Sequence, residues 1–105
     1  MTAEEKAFQT LKDVFEAQSL AVMSTVCEDG TTPYCNLVGF AATEDFTGIL
    51  FATSRNTRKY RNLQAGSGVS MLIDTRSNTE KDFSTAVAIT VTGRPETVSG
   101  ENQDE

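Results

Sequence analysis

Apolar residues recur at helical spacing near the start of the chain. Phe8, Leu11 and Phe15, with Ala7 and Val14 beside them, form one stripe, and Lys6, Gln9, Lys12, Asp13 and Glu16 fill the opposite side. The spacing predicts an amphipathic helix over about 3–18. Thr2 followed three residues later by Glu5 has the spacing of a capping box at its start. From Leu20 the period drops to two. Leu20–Val26 reads as a strand, Asp29-Gly30 as a turn in which Gly30 takes positive φ, and Pro33–Ala42 as the returning strand. Tyr34, Asn36, Val38 and Phe40 then share one face, and Cys35, Leu37, Gly39 and Ala41 the other. Gly39 leaves that second face small enough for a flat ligand or a neighbouring backbone. A bulge or a tight barrel bend explains it equally well, and taken alone is the stronger reading. After a connecting turn at Thr43–Thr47, strands follow at Gly48–Ala52, Val69–Asp74 and Thr85–Gly93, the last of which Arg94 to Val98 can prolong. Thr75 to Phe83 has no period and reads as an exposed loop. Ser99 to Glu105 is an acidic tail with nothing to bury, expected to be disordered.

The stretch from Gly48 to Gly66 carries the chemistry. Its strand passes through Thr53 and Ser54 into a helix with Tyr60 and Leu63 facing inward and Gly66 in the C-cap position. Ser54 or Asn56 is the expected N-cap. Arg58, Lys59 and Arg61 then crowd the first turn, where the helix dipole is already positive and acidic residues are favoured. Each such cation costs a few tenths of a kcal/mol to about one, and like-charged neighbours add to it. An anion would reverse the sign: free amides, hydroxyls and converging cations at a strand-to-helix junction suit a phosphate. A solvated basic helix face is the alternative, and on these residues alone the two balance.

At 105 residues the chain holds one domain, read as 1–98 with the tail beyond it. Fifteen acidic against nine basic residues give −6, which argues against nucleic-acid or anionic-membrane binding. Against that background the cluster Arg55, Arg58, Lys59 and Arg61 points to a small anionic ligand. The absence of histidine removes the commonest metal ligand and general base, so a zinc site, a Ser-His-Asp hydrolase and a Cys-His protease are disfavoured. Cys27 and Cys35 flank the first turn and are read as ordinary free thiols. With neither a long apolar run nor a signal-peptide pattern, the expected location is cytoplasmic.

Five strands joined by tight turns imply an antiparallel sheet of mixed α+β class. In so short a chain this means a small, partly closed β-barrel with helices at its openings, an open α+β sandwich being the alternative. The succession Leu20–Val26, Asp29-Gly30, Pro33-Tyr34, then Ala52 to Lys59 followed by Asn62-Leu63, resembles the pyridoxamine 5′-phosphate oxidase-like FMN-binding split barrels. The likeness spans about Leu20 to Val98.

The resemblance implies that Arg58 and Lys59 hold the FMN phosphate, and that Thr53 and Ser54 contact the phosphate and ribityl chain. It places Asn36, Leu37 and Val38 along the isoalloxazine ring, with backbone groups at its polar edge. It also implies a homodimer with flavin at the interface. Another flavin or a deazaflavin is an alternative that residues 53–59 do not distinguish. Two departures bear on function. Family members continue past the fifth strand with further helix and strand, where this chain has its acidic tail. Asn36 stands where the oxidase itself has a cation, against specific handling of pyridoxamine phosphate. Lacking histidine, the chain is also a poor match for haem-binding relatives. The expected function is an FMN-dependent oxidoreductase acting on a small molecule, with no side chain identifiable as a general acid or base. The alternatives are a non-catalytic flavin-binding electron carrier and an interaction module that has lost its flavin.

Overall fold

The computed structural model describes residues 1–54, 56–66 and 68–96; Arg55, Ser67 and the tail from Thr97 onward, including the expected acidic segment, lie outside them. Helix α1 (Ala3–Ala17) begins with the expected capping box. The Thr2 hydroxyl accepts from the Glu5 amide at 3.1 Å, and Glu5 Oε1 accepts from the Thr2 amide at 2.8 Å. The strands are β1 (Leu20–Val26), β2 (Pro33–Ala42), β3 (Ile49–Phe51), β4 (Val69–Asp74) and β5 (Ala88–Gly93). Helix α2 (Arg58–Ala65) stands between β3 and β4, and a one-turn helix α3 (Asp82–Thr85) between β4 and β5.

All neighbouring strands are antiparallel, in the order β3-β2-β1-β4-β5. Ala21, Met23 and Thr25 of β1, Val38 of β2, and Met71 and Ile73 of β4 point to one buried face. Val14 and Phe15 of α1 close over that face. The sheet curls around this core as a half-barrel, so the small split barrel read from the sequence describes the architecture. Met23 and Ile73 are fully buried, and trimming either to Ala would cost about 2–5 kcal/mol through lost transfer energy and the cavity left.

Two turns fix the ends of β2. Gly30 takes φ 80°, and Asp29 caps the turn by accepting from the amides of Thr31 and Thr32. Beyond β2, Asp45 accepts from the hydroxyls of Thr43 and Thr47 and leaves Phe46 at φ 60°, where its ring stacks on Phe15 with centroids 6.2 Å apart. The β4–β5 connection is more ordered than its composition predicts. The Asp82 carboxylate accepts from the amides of Ser77 and Asn78, and α3 follows. Both cysteines are free thiols. Among the described residues, no helix is long and apolar enough to cross a membrane, and no three His, Cys, Asp or Glu side chains are grouped to hold a metal ion.

Candidate functional site

Helix α2 is capped by Thr57, not by Ser54 or Asn56 as the sequence suggested. Thr57 Oγ1 accepts from the Tyr60 amide at 3.2 Å and donates to the Ser54 carbonyl at 2.8 Å. Because its one proton is spent on that carbonyl, the contact of 3.2 Å between the Thr53 and Thr57 hydroxyls must have Thr53 as donor. Ser54 and Asn56 lose the role because Thr57, extended at φ −109° and ψ 158°, is the residue directly before the helix begins. Gly66 does occupy the C-cap, in extended conformation at φ −89°, and its amide donates to the Asn62 carbonyl. A Cβ there would approach that carbonyl to 3.0 Å, so close approach and not left-handed backbone is what favours glycine.

With Thr57 serving the amides of Tyr60 and Arg61, the amides of Arg58 and Lys59 are the ones at the start of α2 without an acceptor inside the helix. Those two residues are also the cations of the first turn, which holds no acidic residue. Arg61 pairs with Glu28 at 3.5 Å across exposed surface, an interaction worth little in water. Arg58 is exposed but directed, its guanidinium 5.7 Å from the centre of the Tyr34 ring at the start of β2.

This contact places the beginning of α2 beside a particular edge. β3 pairs only with Phe40 to Ala42, so among the described residues the stretch from Pro33 to Gly39 has a strand neighbour on the β1 side alone. Its other backbone groups are available to a ligand. Asn36, Leu37 and Val38 lie in this stretch, and the pleat parts their side chains. Val38 is in the core, Asn36 is half-buried on the same face, and Leu37 is 63% exposed on the other. The Phe40 amide donates to the Ser19 carbonyl, and the antiparallel ladder alternates, so Val38 and Asn36 turn their backbone groups to β1 and, of the three, only Leu37 turns its amide and carbonyl to the free edge. Gly39 follows on the outer face, where an added Cβ would meet only the Ser19 carbonyl at 3.8 Å.

Asn62 went unnoticed as a site residue in the sequence and is the most buried residue of α2, at 1% exposure. Its Nδ2 donates to Thr25 Oγ1 at 3.1 Å and lies 3.9 Å from Cys27 Sγ, while its Oδ1 has no partner. Asn36 Oδ1 is likewise buried and unpartnered. Each of these orphaned acceptors calls for a donor, since it costs about 1–3 kcal/mol unsatisfied. A pocket of about 210 Å³ is lined by Arg58, Arg61, Asn62 and the turn residues Cys27 to Asp29. A larger groove of about 620 Å³ runs between β3 and β5, with Phe15, Phe51, Leu63, Met71 and Val91 in its wall and Thr53 and Tyr60 towards α2.

The family pattern for pyridoxamine 5′-phosphate oxidase matches residues 7–105. No curated protein matches the sequence. Among solved structures, the chain is similar to the haem storage protein HutZ from Vibrio cholerae, with a TM-score of 0.74 at 18% identity. A second solved structure aligns with a TM-score of 0.76 at 17% identity. The alignments cover 90% and 97% of this chain, which spans only 65% and 66% of the other two. At such identity the likeness is one of fold.

Proposed function

Since the chain belongs to the pyridoxamine 5′-phosphate oxidase family, we propose that it is an FMN-binding flavoprotein and an oxidoreductase acting on a small molecule. The observation that carries this reading is the start of α2: two cations and two unclaimed amides, with no acidic residue in the helix's own first turn, beside a bare strand edge. The chemistry of the donor set fits FMN. Arg58 and Lys59 supply charge and backbone donors for a phosphate dianion. Ser54, exposed at the same junction, adds a hydroxyl. Thr53 joins them only by giving up its bond to Thr57. The orphaned Oδ1 atoms of Asn36 and Asn62 need donors, which ribityl hydroxyls provide. The free edge of β2 offers the Leu37 amide and carbonyl to the polar rim of an isoalloxazine ring, with Asn36 and Val38 flanking it in the strand.

When bound, the flavin supplies the redox chemistry. The protein's part is to hold and orient it. Tyr34 restrains the Arg58 guanidinium at the mouth of the site, and the tie from Asn62 to Thr25 keeps α2 against β1. No carboxylate or thiol of the site is placed as an acid or base, so the protein's contribution is binding and electrostatics.

The test is titration of the purified protein with FMN, followed by flavin fluorescence and the visible spectrum, beside the Arg58→Ala/Lys59→Ala variant. Charge-assisted contacts are worth about 1.5–3 kcal/mol each, so the double variant should bind at least about 100-fold more weakly. Equal affinity in both proteins refutes the phosphate assignment. Titration with hemin is the counter-test raised by HutZ. The 105 residues offer no imidazole as an axial ligand, so tight hemin binding without FMN binding would overturn the flavin reading.

A further inference from the structure

Arg58, Arg61 and Asn62 are spaced three and four residues apart from the first, so they share one side of α2, and that side is turned towards the β1–β2 turn. With Cys27, Glu28 and Asp29 they line the pocket of about 210 Å³. At about 30 Å³ for each water molecule it has room for about seven, less than a drug-sized ligand needs. Two features ask for an occupant. Asn62 is fully buried, directs Nδ2 to Thr25 Oγ1 and to Cys27 Sγ, and keeps an Oδ1 without a partner. Arg61 and Glu28 meet at 3.5 Å with both side chains largely in water, a loose pair that closer partners can displace.

We propose that this pocket binds a small zwitterion, an α-amino acid of the size of alanine or serine, which inserts between Arg61 and Glu28. Its carboxylate takes the guanidiniums of Arg58 and Arg61, whose planar forks match it. Its ammonium has three protons to donate, and Glu28 and the orphaned Asn62 Oδ1 are acceptors for them. Asp29 contributes charge without moving, since its carboxylate is held by the amides of Thr31 and Thr32 and by the Thr32 hydroxyl. Charge selects this class over others. Two guanidiniums and two carboxylates line the pocket, so an inorganic anion is attracted by one pair and repelled by the other, and a simple cation likewise. Water can serve Asn62 Oδ1 but leaves the loose ion pair as it was. A zwitterion exchanges that pair for two close ones. Lys59 does not line this pocket, whereas Arg58 and Asn62 belong both to it and to the candidate flavin site. A bound amino acid therefore competes with FMN, a consequence that rests on the flavin reading, while the binding itself does not.

The experiment titrates the full chain, free of flavin and labelled with nitrogen-15, with L-serine, and follows the side-chain amide of Asn62 by NMR. Ethanolamine and 3-hydroxypropionate, each carrying one of serine's two charges, and inorganic phosphate are titrated beside it. The expected result is a saturable shift of the Asn62 amide with serine, and affinities at least about tenfold weaker for both half-ligands, each of which forgoes a charge-assisted contact. Glu28→Gln changes an exposed side chain, so the fold should survive, and serine should bind it at least about tenfold more weakly. Serine near saturation should also weaken FMN binding to the wild-type chain and not to Glu28→Gln. A chain that takes up no FMN leaves the serine titration to decide alone. An Asn62 amide that does not respond to serine overturns the assignment. So do half-ligands that bind as well as serine, phosphate that binds better, or a Glu28→Gln chain with unchanged serine affinity.

Discussion

The hydrogen bond between Asn62 and Thr25 joins α2 to β1 inside the protein, and removing its two ends should give effects of opposite sign depending on order. Thr25 is 3% exposed and accepts from Asn62 Nδ2 at 3.1 Å. Thr25→Val keeps the shape but removes the bond, worth about 0.5–1.5 kcal/mol, and leaves the buried amide with only a distant sulfur at an added cost of about 1–3. A loss of about 2–3 kcal/mol follows. Asn62→Ala loses the same bond, strands the Thr25 hydroxyl and opens a small cavity. It also deletes Oδ1, which has no partner to lose, and this offsets part of the damage. In that background Thr25→Val replaces a stranded hydroxyl by a methyl group, so stability should rise by up to about 1 kcal/mol. The pair then couples by about 2–4 kcal/mol, whichever way the amide is turned, since either orientation leaves one of its atoms bonded to Thr25. Equilibrium urea unfolding of the four chains, fitted with a shared slope, reads the cycle. If Thr25→Val costs the same in both backgrounds to within about 0.5 kcal/mol, the bond does not hold α2 in place and the account of this polar burial is wrong.

Two further predictions concern the β1–β2 turn. The Thr32 hydroxyl, followed by the amides of Thr31 and Thr32, lowers the Asp29 pKa from 3.8 to about 2. A carboxylate depressed on folding stabilises above its unfolded pKa, and that contribution disappears as pH falls from about 4 to 2. The difference in urea midpoint between the wild-type chain and Asp29→Asn should therefore be constant near neutrality and close over that window. A gap that persists at pH 2 would contradict the assignment. Gly30→Ala should cost about 1 kcal/mol through the positive φ alone, because an added Cβ meets nothing within 4 Å. Gly30→Asn should cost less, and equal losses for both would point to a steric cause.

β1, β2 and β4 begin and end where the alternation of the sequence places them, because α1 covers one face and the pleat writes that cover into every second residue. The reading loosens where other forces act. β5 starts at Ala88 and not Thr85, since the Val87 amide goes to the Thr75 hydroxyl and the Thr75 amide to the Val87 carbonyl, closing the connection before the ladder opens. α3 depends on one carboxylate, Asp82, gathering amides four and five residues upstream, which has no periodic signature. Thr57 was accessible as an N-cap from its place directly before Arg58. Asn62 was not, because a buried asparagine is explained only by a partner 37 residues away in sequence.

The candidate site shows the same division between what is local and what is not. Cations gathered at a helix start are a local anomaly, and so they are visible in the sequence at Arg58 and Lys59. The strand edge that faces them is a negative feature, made by β3 being only three residues long and pairing with the far end of β2. No residue of β2 announces it. Once the edge is known, the opposed side chains of Asn36 and Leu37 cease to be a difficulty for a planar ligand, because the recognition falls to the main chain. Leu37→Ala leaves the main chain as it is and should change FMN affinity little in the same titration. A substitution that spoils the edge itself, such as Leu37→Pro, removes a backbone donor and should weaken FMN binding, and unchanged affinity would refute recognition by the main chain.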